Sequence, residues 1–483
     1  MKATKKLAAN TVIQIVSKAI MTLIGLISIR LLTHYLGVDG FGEYTIIITY
    51  LTILSVFAEL GLQLVLTREI ADASQEYANR MVSYIYTLRL IAAFLIVGVI
   101  GSSLIWVFDY PQQVKVLVIL GSLGTMGMSM GQVLIGVFQT HLRIDRMMIA
   151  DLMGRTVLMS GIILLVITEW IALPWVITMY VLAGITHALA VYFFARKFYR
   201  FGLAWDWSIM RPILVQAFPL FIITAFNVIY YRVDTLMISV MESSTEVGLY
   251  GASYKILEIL VTVPGMFAGL LLPILTRYYN QDWEYFGYII QKGSQILFAL
   301  GVPTVIGGIF LADEILLLIA GEDYLPATLT LQVLFGAIGV IFLSNLLSHV
   351  MIASHLQKKA MYIAILGSVF NVGANVIFIH YYSFLGAAIA TVLTELLVFG
   401  GFVFFIERST HSSPRFSFAY LWVIISSFGM AGTLYILQMQ GVHFLIQIPL
   451  AALVYGGLFI LPGKTFVLNH FALQVRESEE KNR

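Results

Sequence analysis

Residues 11–29 read TVIQIVSKAIMTLIGLISI, an apolar run whose one charge is Lys18 and which continues past Arg30 into further apolar sequence. A helix needs about 20 apolar residues to cross a hydrocarbon layer of ~30 Å. A secretory signal has a shorter apolar region that ends at a small-residue cleavage site. This run is too long for that and leads into another, so it is predicted to be a first transmembrane helix, despite Lys2, Lys5 and Lys6 ahead of it.

Working outward, the same pattern fills the chain. Dividing it wherever charges, Pro or Gly/Asp/Asn clusters break long apolar runs predicts about fourteen spans. They fall near 11–32, 44–66, 81–108, 114–138, 150–168, 174–195, 213–239, 248–274, 289–311, 327–353, 360–380, 384–406, 417–438 and 444–462. Continuous runs of this length exclude a transmembrane barrel, whose strands alternate over ~10 residues. Composition agrees, because 60% of the 483 residues are hydrophobic and 11% charged, against roughly 25% charged in soluble chains. The mean hydropathy is +0.91. With no polar stretch long enough for a soluble domain, the chain reads as an all-α polytopic membrane protein. The absence of Cys excludes thiolate catalysis and cysteine-held metals, and a net charge of +2 points to no nucleic-acid partner.

Basic residues test the count, since loops retained in the cytoplasm hold most Lys and Arg. With the N-terminus inside, 21 of the 28 fall on inside loops and tails, the last of them Lys464, Arg476, Lys481 and Arg483. The outside loops hold Arg30 and Lys115 alone. A missed span would invert this bias, so both termini are expected in the cytoplasm. The longest inside loop, about 196–212, separates two six-helix units from one another. Gly42-Glu43-Tyr44 opens the second helix of one and Gly248-Leu249-Tyr250 the second helix of the other, an offset of 206 residues. The expected organisation is a lobe over 1–200, a parallel repeat of it over 201–406, and a helix pair with a tail over 407–483. Transporters are often built from such repeats, with substrate held between them.

Enzyme motifs are missing and no catalytic residue is assigned. Gly463-Lys464-Thr465 ends like a phosphate-binding loop, but Leu458 stands where its first glycine belongs. The nine His show no metal-ligand spacing; His187 and His380 read as helix-packing or interfacial residues. The longest outside loop, about 312–326, leaves little room for an extramembrane active site.

Charge inside the membrane is the informative signal, because each ionisable group there needs a partner or a wet cavity. Asp151 and Arg155, four apart, are expected to pair on one helix face; Lys255 and Glu258, three apart, form a second candidate pair. Lys18 has no local acid, and Arg232 and Asp234 project from different faces. Lys18, Arg232 and Lys255 each lie ~10 Å deep at 1.5 Å per residue, and Arg89 is a further cation within a span. Such a series would serve an anionic substrate crossing the bilayer; snorkelling to headgroups is the bland alternative. Glu59 and Glu395 lie near mid-membrane, and Asn371 and Asn375 share a helix face. Proton or sodium coupling uses such groups, and so does plain interhelical hydrogen bonding.

The stretches Ala9-Asn10-Thr11 through Arg30-Leu31-Leu32, Tyr35-Leu36-Gly37-Val38-Asp39-Gly40-Phe41-Gly42-Glu43-Tyr44, Glu59-Leu60-Gly61-Leu62 and Thr67-Arg68-Glu69-Ile70-Ala71 together resemble the opening of bacterial polysaccharide-biosynthesis flippases of the Wzx type. Tyr231-Arg232-Val233-Asp234-Thr235-Leu236-Met237-Ile238, Glu246-Val247-Gly248-Leu249-Tyr250 and Ala252-Ser253-Tyr254-Lys255 resemble the start of that family's second lobe. The family sits with multidrug extruders and lipid II flippases in one exporter superfamily. The resemblance implies two six-helix lobes around a cationic cavity and alternating access. The cargo it implies is an undecaprenyl-diphosphate-linked oligosaccharide, moved from the inner to the outer leaflet of the bacterial cell membrane. In related lipid II flippases a sodium site uses the seventh, eleventh and twelfth helices. Asp234, Asn371, Asn375 and Thr391 occupy comparable helices here, with Asn375 standing where an acid is expected. Partners implied are the lipid-linked glycan, membrane lipids and a polysaccharide polymerase; no cofactor is expected beyond Na+ or H+ as coupling ion. A drug or metabolite antiporter on the same fold is the alternative, and it would more often need acids for a cationic substrate.

Overall fold

The computed structural model describes residues 2–410 and 417–463, with side chains from 16 to 460 except at 223 and 227. Arg415, Lys464 and the rest of the C-terminal basic tail lie outside the described residues. No strand occurs among the described residues. The helices are α1 (Lys2–Glu59), α2 (Leu62–Ile70), α3 (Gln75–Ala92), α4 (Ser102–Leu104), α5 (Gln112–Val133), α6 (Ile135–Thr140), α7 (Ile144–Ile167) and α8 (Leu173–Ala195). They continue with α9 (Trp207–Met241), α10 (Ser244–Gln281), α11 (Trp283–Phe310), α12 (Ala312–Ile319), α13 (Thr328–Ala353), α14 (Gln357–Thr410), α15 (Phe418–Met439) and α16 (Phe444–Gly463). Among the described residues eleven helices are long and apolar enough to cross a membrane, and Phe444–Ile460 is a shorter apolar helix. The chain is a multi-pass membrane protein.

Several predicted boundaries move. The loop expected between the first two spans is helical on both sides of one residue, Gly37, whose φ of 67° and ψ of −177° break α1. Only glycine takes such a backbone without strain. The second span ends at Glu59 rather than near 66, because Leu60 and Gly61 both adopt positive φ before α2 begins. Gly61 cannot carry a side chain for a second reason: a Cβ there would lie 2.6 Å from the Ala217 carbonyl oxygen of α9. The gap predicted at 381–383 is a break inside α14, at Ser383 (φ 50°, ψ −136°). The stretch 312–326, expected as a loop, holds α12 and the 3-10 turn Glu322–Ala327. A π-helical segment, Ala93–Gly101, follows α3. Its last carbonyl, at Gly101, accepts from the Tyr50 hydroxyl at 2.7 Å, so the widened turn is satisfied from a neighbouring helix.

The chain packs as two compact units. The first comprises residues 1–252 with 319–324 and 375–384. Its core joins α2, α3, α5, α6, α8 and α9 through Leu62, Val82, Val133, Phe138, Val191 and Met210. The second comprises residues 253–318, 325–374 and 385–483. There α11 packs against α13 and α15, and Leu311, Met430, Leu434 and Ala451 form a core. Tyr455 donates to the Ala299 carbonyl at 2.6 Å, and Ser294 and Tyr420 share a hydrogen bond of 2.6 Å. An apolar cavity of about 340 Å³ opens among Phe298, Gly301, Gly336, Gly339, Leu396 and Phe399. Apolar side chains such as Leu23, Phe193 and Leu453 are exposed, as expected where lipid is the solvent.

Candidate functional site

Three polar assemblies occur in the first unit. The first is where the two Gly-x-Tyr stretches meet. A Cβ on Gly42 would overlap the Ser244 carbonyl, and a Cβ on Gly248 would overlap the Val38 carbonyl. The Thr245 hydroxyl donates to Asp39, and a Cβ on Gly251 would lie 3.0 Å from the Thr45 methyl. The pairs 39/245 and 45/251 each join residues 206 apart, and 38/248 and 244/42 exchange places under the same offset. The contact is therefore self-complementary, as in a two-fold interface. Two helices can approach this closely only where side chains are absent.

The second assembly surrounds Asp234 on α9. Its side chain is 2% exposed and accepts from the Asn375 amide at 2.6 Å and from the Tyr250 hydroxyl at 3.0 Å. A buried carboxylate without such donors costs several kcal/mol, roughly. The predicted coupling set thus divides. Asp234 and Asn375 meet directly, amide to carboxylate, while Asn371 donates to Thr394 at 3.3 Å in the second unit. Thr391 donates to the Ala387 carbonyl of its own helix, and Glu395 is 4% exposed. Tyr250 and Thr394 are partners that sequence reasoning missed. Tyr250 lay inside the quoted repeat motif, but nothing in its spacing pointed at Asp234. Among the described residues, no group of three or more His, Asp and Glu is placed to hold a metal ion.

The third assembly runs through α1, α3, α5, α7 and α8, and it corrects three expectations. Asp151 does not pair with Arg155; it meets His187 Nε2 at 2.9 Å. Arg155 is exposed, its field reaches Tyr44 of α1, and it makes no ion pair among the described residues. Position i+4 placed Arg155 within reach, but Gly154 turns the Asp151 face of α7 onto α8, where His187 stands. Arg89, expected to meet substrate, is fully buried. Its Nε donates to the Ser129 carbonyl at 3.0 Å and an Nη to Gln132 at 3.3 Å, and Glu59 is the acid whose field reaches it. Glu59 itself is the last residue of α1, ~30 Å along the helix from Gly37 at 1.5 Å per residue. It is therefore at a span's end rather than its middle.

The remaining predicted cations are placed as follows. Lys18 is exposed and Arg232 half-buried. Lys255, in the second unit, forms an ion pair with Glu258 at 2.8 Å, the two side chains 41% and 23% exposed. At that exposure the pair contributes about 1 kcal/mol or less, so Lys255 stays available to a stronger anion.

A family model described as "Polysaccharide biosynthesis protein" matches residues 7–279, and one described as MatE matches 219–377. The probable low-salt glycan biosynthesis flippase Agl15 of Haloferax volcanii is 23% identical over 299 residues. That alignment covers 57% of this chain and 59% of the relative, so the chain spans about three-fifths of the relative's length. Among solved structures, the lipid II flippase MurJ in an inward closed conformation superposes with a TM-score of 0.78 at 16% identity, covering 94% of this chain and 99% of MurJ. An inward-facing multidrug resistance MATE family transporter superposes at 0.69 with 14% identity, covering 83% and 99%. At these identities the superpositions show the fold.

Proposed function

The chain belongs to the polysaccharide biosynthesis protein family, and on that premise we propose that it is a flippase rather than an enzyme. In this reading it carries an undecaprenyl-diphosphate-linked oligosaccharide from the inner to the outer leaflet of a bacterial cell membrane, by alternating access. The resemblance to a glycan biosynthesis flippase and to a lipid II flippase supports a glycan on a lipid diphosphate. The observation that carries the reading is Arg155, an exposed guanidinium on an apolar helix, with no ion pair among the described residues. A cation in such a setting needs an anion or a wet cavity, and a guanidinium fork matches a phosphate. Lys18, Arg232 and Lys255 extend the cationic series, and the lipid tail remains in the bilayer.

The architecture we propose has fourteen spans, counting α1 and α14 as two each across their breaks and including α16. Both termini are cytoplasmic, and the lobes divide near 200 and 406. The Gly42/Gly248 crossing then closes the outer side. Without a nucleotide-binding module in this chain, an ion gradient, the membrane potential or mass action drives the cycle, and a polysaccharide polymerase takes up the product. For ion coupling, sodium would engage Asp234, Asn371, Asn375 and Thr391, and a proton Glu395. Sodium-dependent flipping lost in Asn375→Ala would support the first, and pH-gradient dependence lost in Glu395→Gln the second.

The test of the reading is reconstitution. Lipid-linked oligosaccharide incorporated in both leaflets of proteoliposomes should become wholly accessible to an added, impermeant glycosidase when the protein is present. Only the outer-leaflet half should react in protein-free vesicles. Protection that persists with correctly inserted protein would refute the flippase, and gradient-driven uptake of a cationic drug in the same vesicles would favour an antiporter.

A further inference from the structure

A titratable pair between α5, α7 and α8 has no part in the substrate path above. His187 is 8% exposed and its Nε2 meets Asp151 at 2.9 Å. Glycines clear the space for the ring. A Cβ on Gly131 of α5 would lie 2.5 Å from Cε1 and 2.7 Å from Nδ1, and a Cβ on Gly154 of α7 would lie 3.2 Å from the His187 Cβ. Nδ1 is buried with no hydrogen-bond partner among the described residues, whereas the Asp151 side chain keeps 29% exposure. One edge of the pair is sealed and the other open. Asp151 lies seven residues into α7, ~10 Å from its start at 1.5 Å per residue, so the pair is inside the apolar part of the helix.

The chemistry follows from the two ring nitrogens. With Nε2–H donating to the Asp151 carboxylate, Nδ1 is a bare acceptor. A proton added there would make a second N–H that faces Gly131 and finds no acceptor, and a buried donor without a partner is penalised. In this packing Nδ1 is therefore left bare against Gly131. Separating α5 from α8 at Gly131 removes the penalty and opens Nδ1 to water. Other charged and titratable groups on the packed elements are Arg155 on the next turn of α7, Arg146 with Asp145 near its start, Tyr180 on α8, Tyr44 on α1, and Arg89 of α3, which meets another face of α5 at Ser129 and Gln132. None of them forms an ion pair with Asp151 or His187 among the described residues.

We propose that His187 and Asp151 form a proton-binding site within the first unit, loaded at Nδ1 when α5 and α8 part at Gly131 and emptied from Nδ1 before they close again. The proton that enters at Nδ1 leaves from Nδ1 while Nε2–H stays bonded to Asp151, so the pair returns to its starting state without other bonds changing. Its coupling to transport rests on the flippase reading; the binding of the proton does not.

The test separates the two. In full-length protein with labelled histidine in lipid nanodiscs, the resonance lost in His187→Gln should titrate between pH 5 and 8, the range in which histidine changes charge, and should shift in Asp151→Asn. In proteoliposomes an imposed pH gradient should accelerate wild-type flipping. His187→Gln, which keeps a hydrogen-bond donor but cannot titrate, should flip at the ungraded rate with the acceleration lost. A ring that holds one protonation state across that range, or a His187→Gln protein that still responds to the gradient, overturns the proposal. If the wild type does not flip at all, the flippase reading fails while the titration still decides the site. Should His187→Gln fail to insert, Asp151→Asn carries both readouts.

Discussion

Arg89 and Arg155 are both cations on apolar helices, and burial assigns them opposite roles. Arg89 is enclosed and bonded to Ser129 and Gln132, so Arg89→Ala should cost about 2–3 kcal/mol of stability through its cavity and stranded acceptors. The loss should register as a lower thermal midpoint of the purified protein. Arg155→Ala should leave that midpoint unchanged and slow flipping roughly tenfold or more, the worth of one hydrogen bond to a charged group. Arg155→Lys should restore part of the rate, since charge is kept and the fork is lost. At this scale the sequence was partly legible. It marked Asp234, Asn375 and Glu395 as polar groups needing partners, and each is buried. It named the wrong partner for Asp151, because spacing along one helix reveals neighbours on that helix only. Which of two faces meets α8 depends on Gly154 and on packing, and neither is written in the i, i+4 rule.

Helices and their breaks were legible where glycine or a polar gap interrupts an apolar run, and displaced where the break is a single residue. Gly37 ends no helix by composition; its backbone does so by conformation. The start of α9 shows the opposite case, a boundary held by a side chain. Asp206 accepts from the Ser208 hydroxyl at 2.6 Å and from its amide at 3.0 Å, and these donors, the hydroxyl foremost, hold the carboxyl below the usual carboxylate range. Because the folded value is the lower one, the cap's stabilisation is present above the ordinary range and is lost as pH falls through the folded value. Amide protection over residues 207–211 should therefore decline on acidification, and Asp206→Ala should lower it at neutral pH and abolish the pH dependence, as read by hydrogen exchange. The glycine crossing makes a third expectation. Gly42→Val should oppose closure by about 2 kcal/mol, roughly thirtyfold in the closed population. Gly248→Val should do the same, and the double variant should add little, since parting the helices relieves both overlaps. With no native Cys in the sequence, the disulfide yield of Asp39→Cys with Thr245→Cys measures the closed fraction directly.

For the whole molecule, the distribution of basic residues predicts an orientation in the membrane. Because 21 of 28 fall on one side of the predicted topology, reporter fusions after Arg200 and at the C-terminus should read cytoplasmic and one near Asp323 external. An external C-terminus would overturn the even span count. Apolar run length made the helical membrane class legible throughout, while the two compact units were not, because they gather 319–324 and 375–384 with the first 252 residues through contacts far apart in sequence. The self-complementary crossing has one more consequence, and it concerns inheritance. In the two-repeat organisation expected from the sequence, Asp39 at Thr245 and Thr45 at Gly251 each have as neighbour their own counterpart 206 residues on. After a duplication most positions of the two copies drift apart freely, but a strip that packs on itself is tied to its twin. Accepted changes at these positions should come in matched pairs, and the strip should remain the most alike part of two halves that have otherwise lost their likeness.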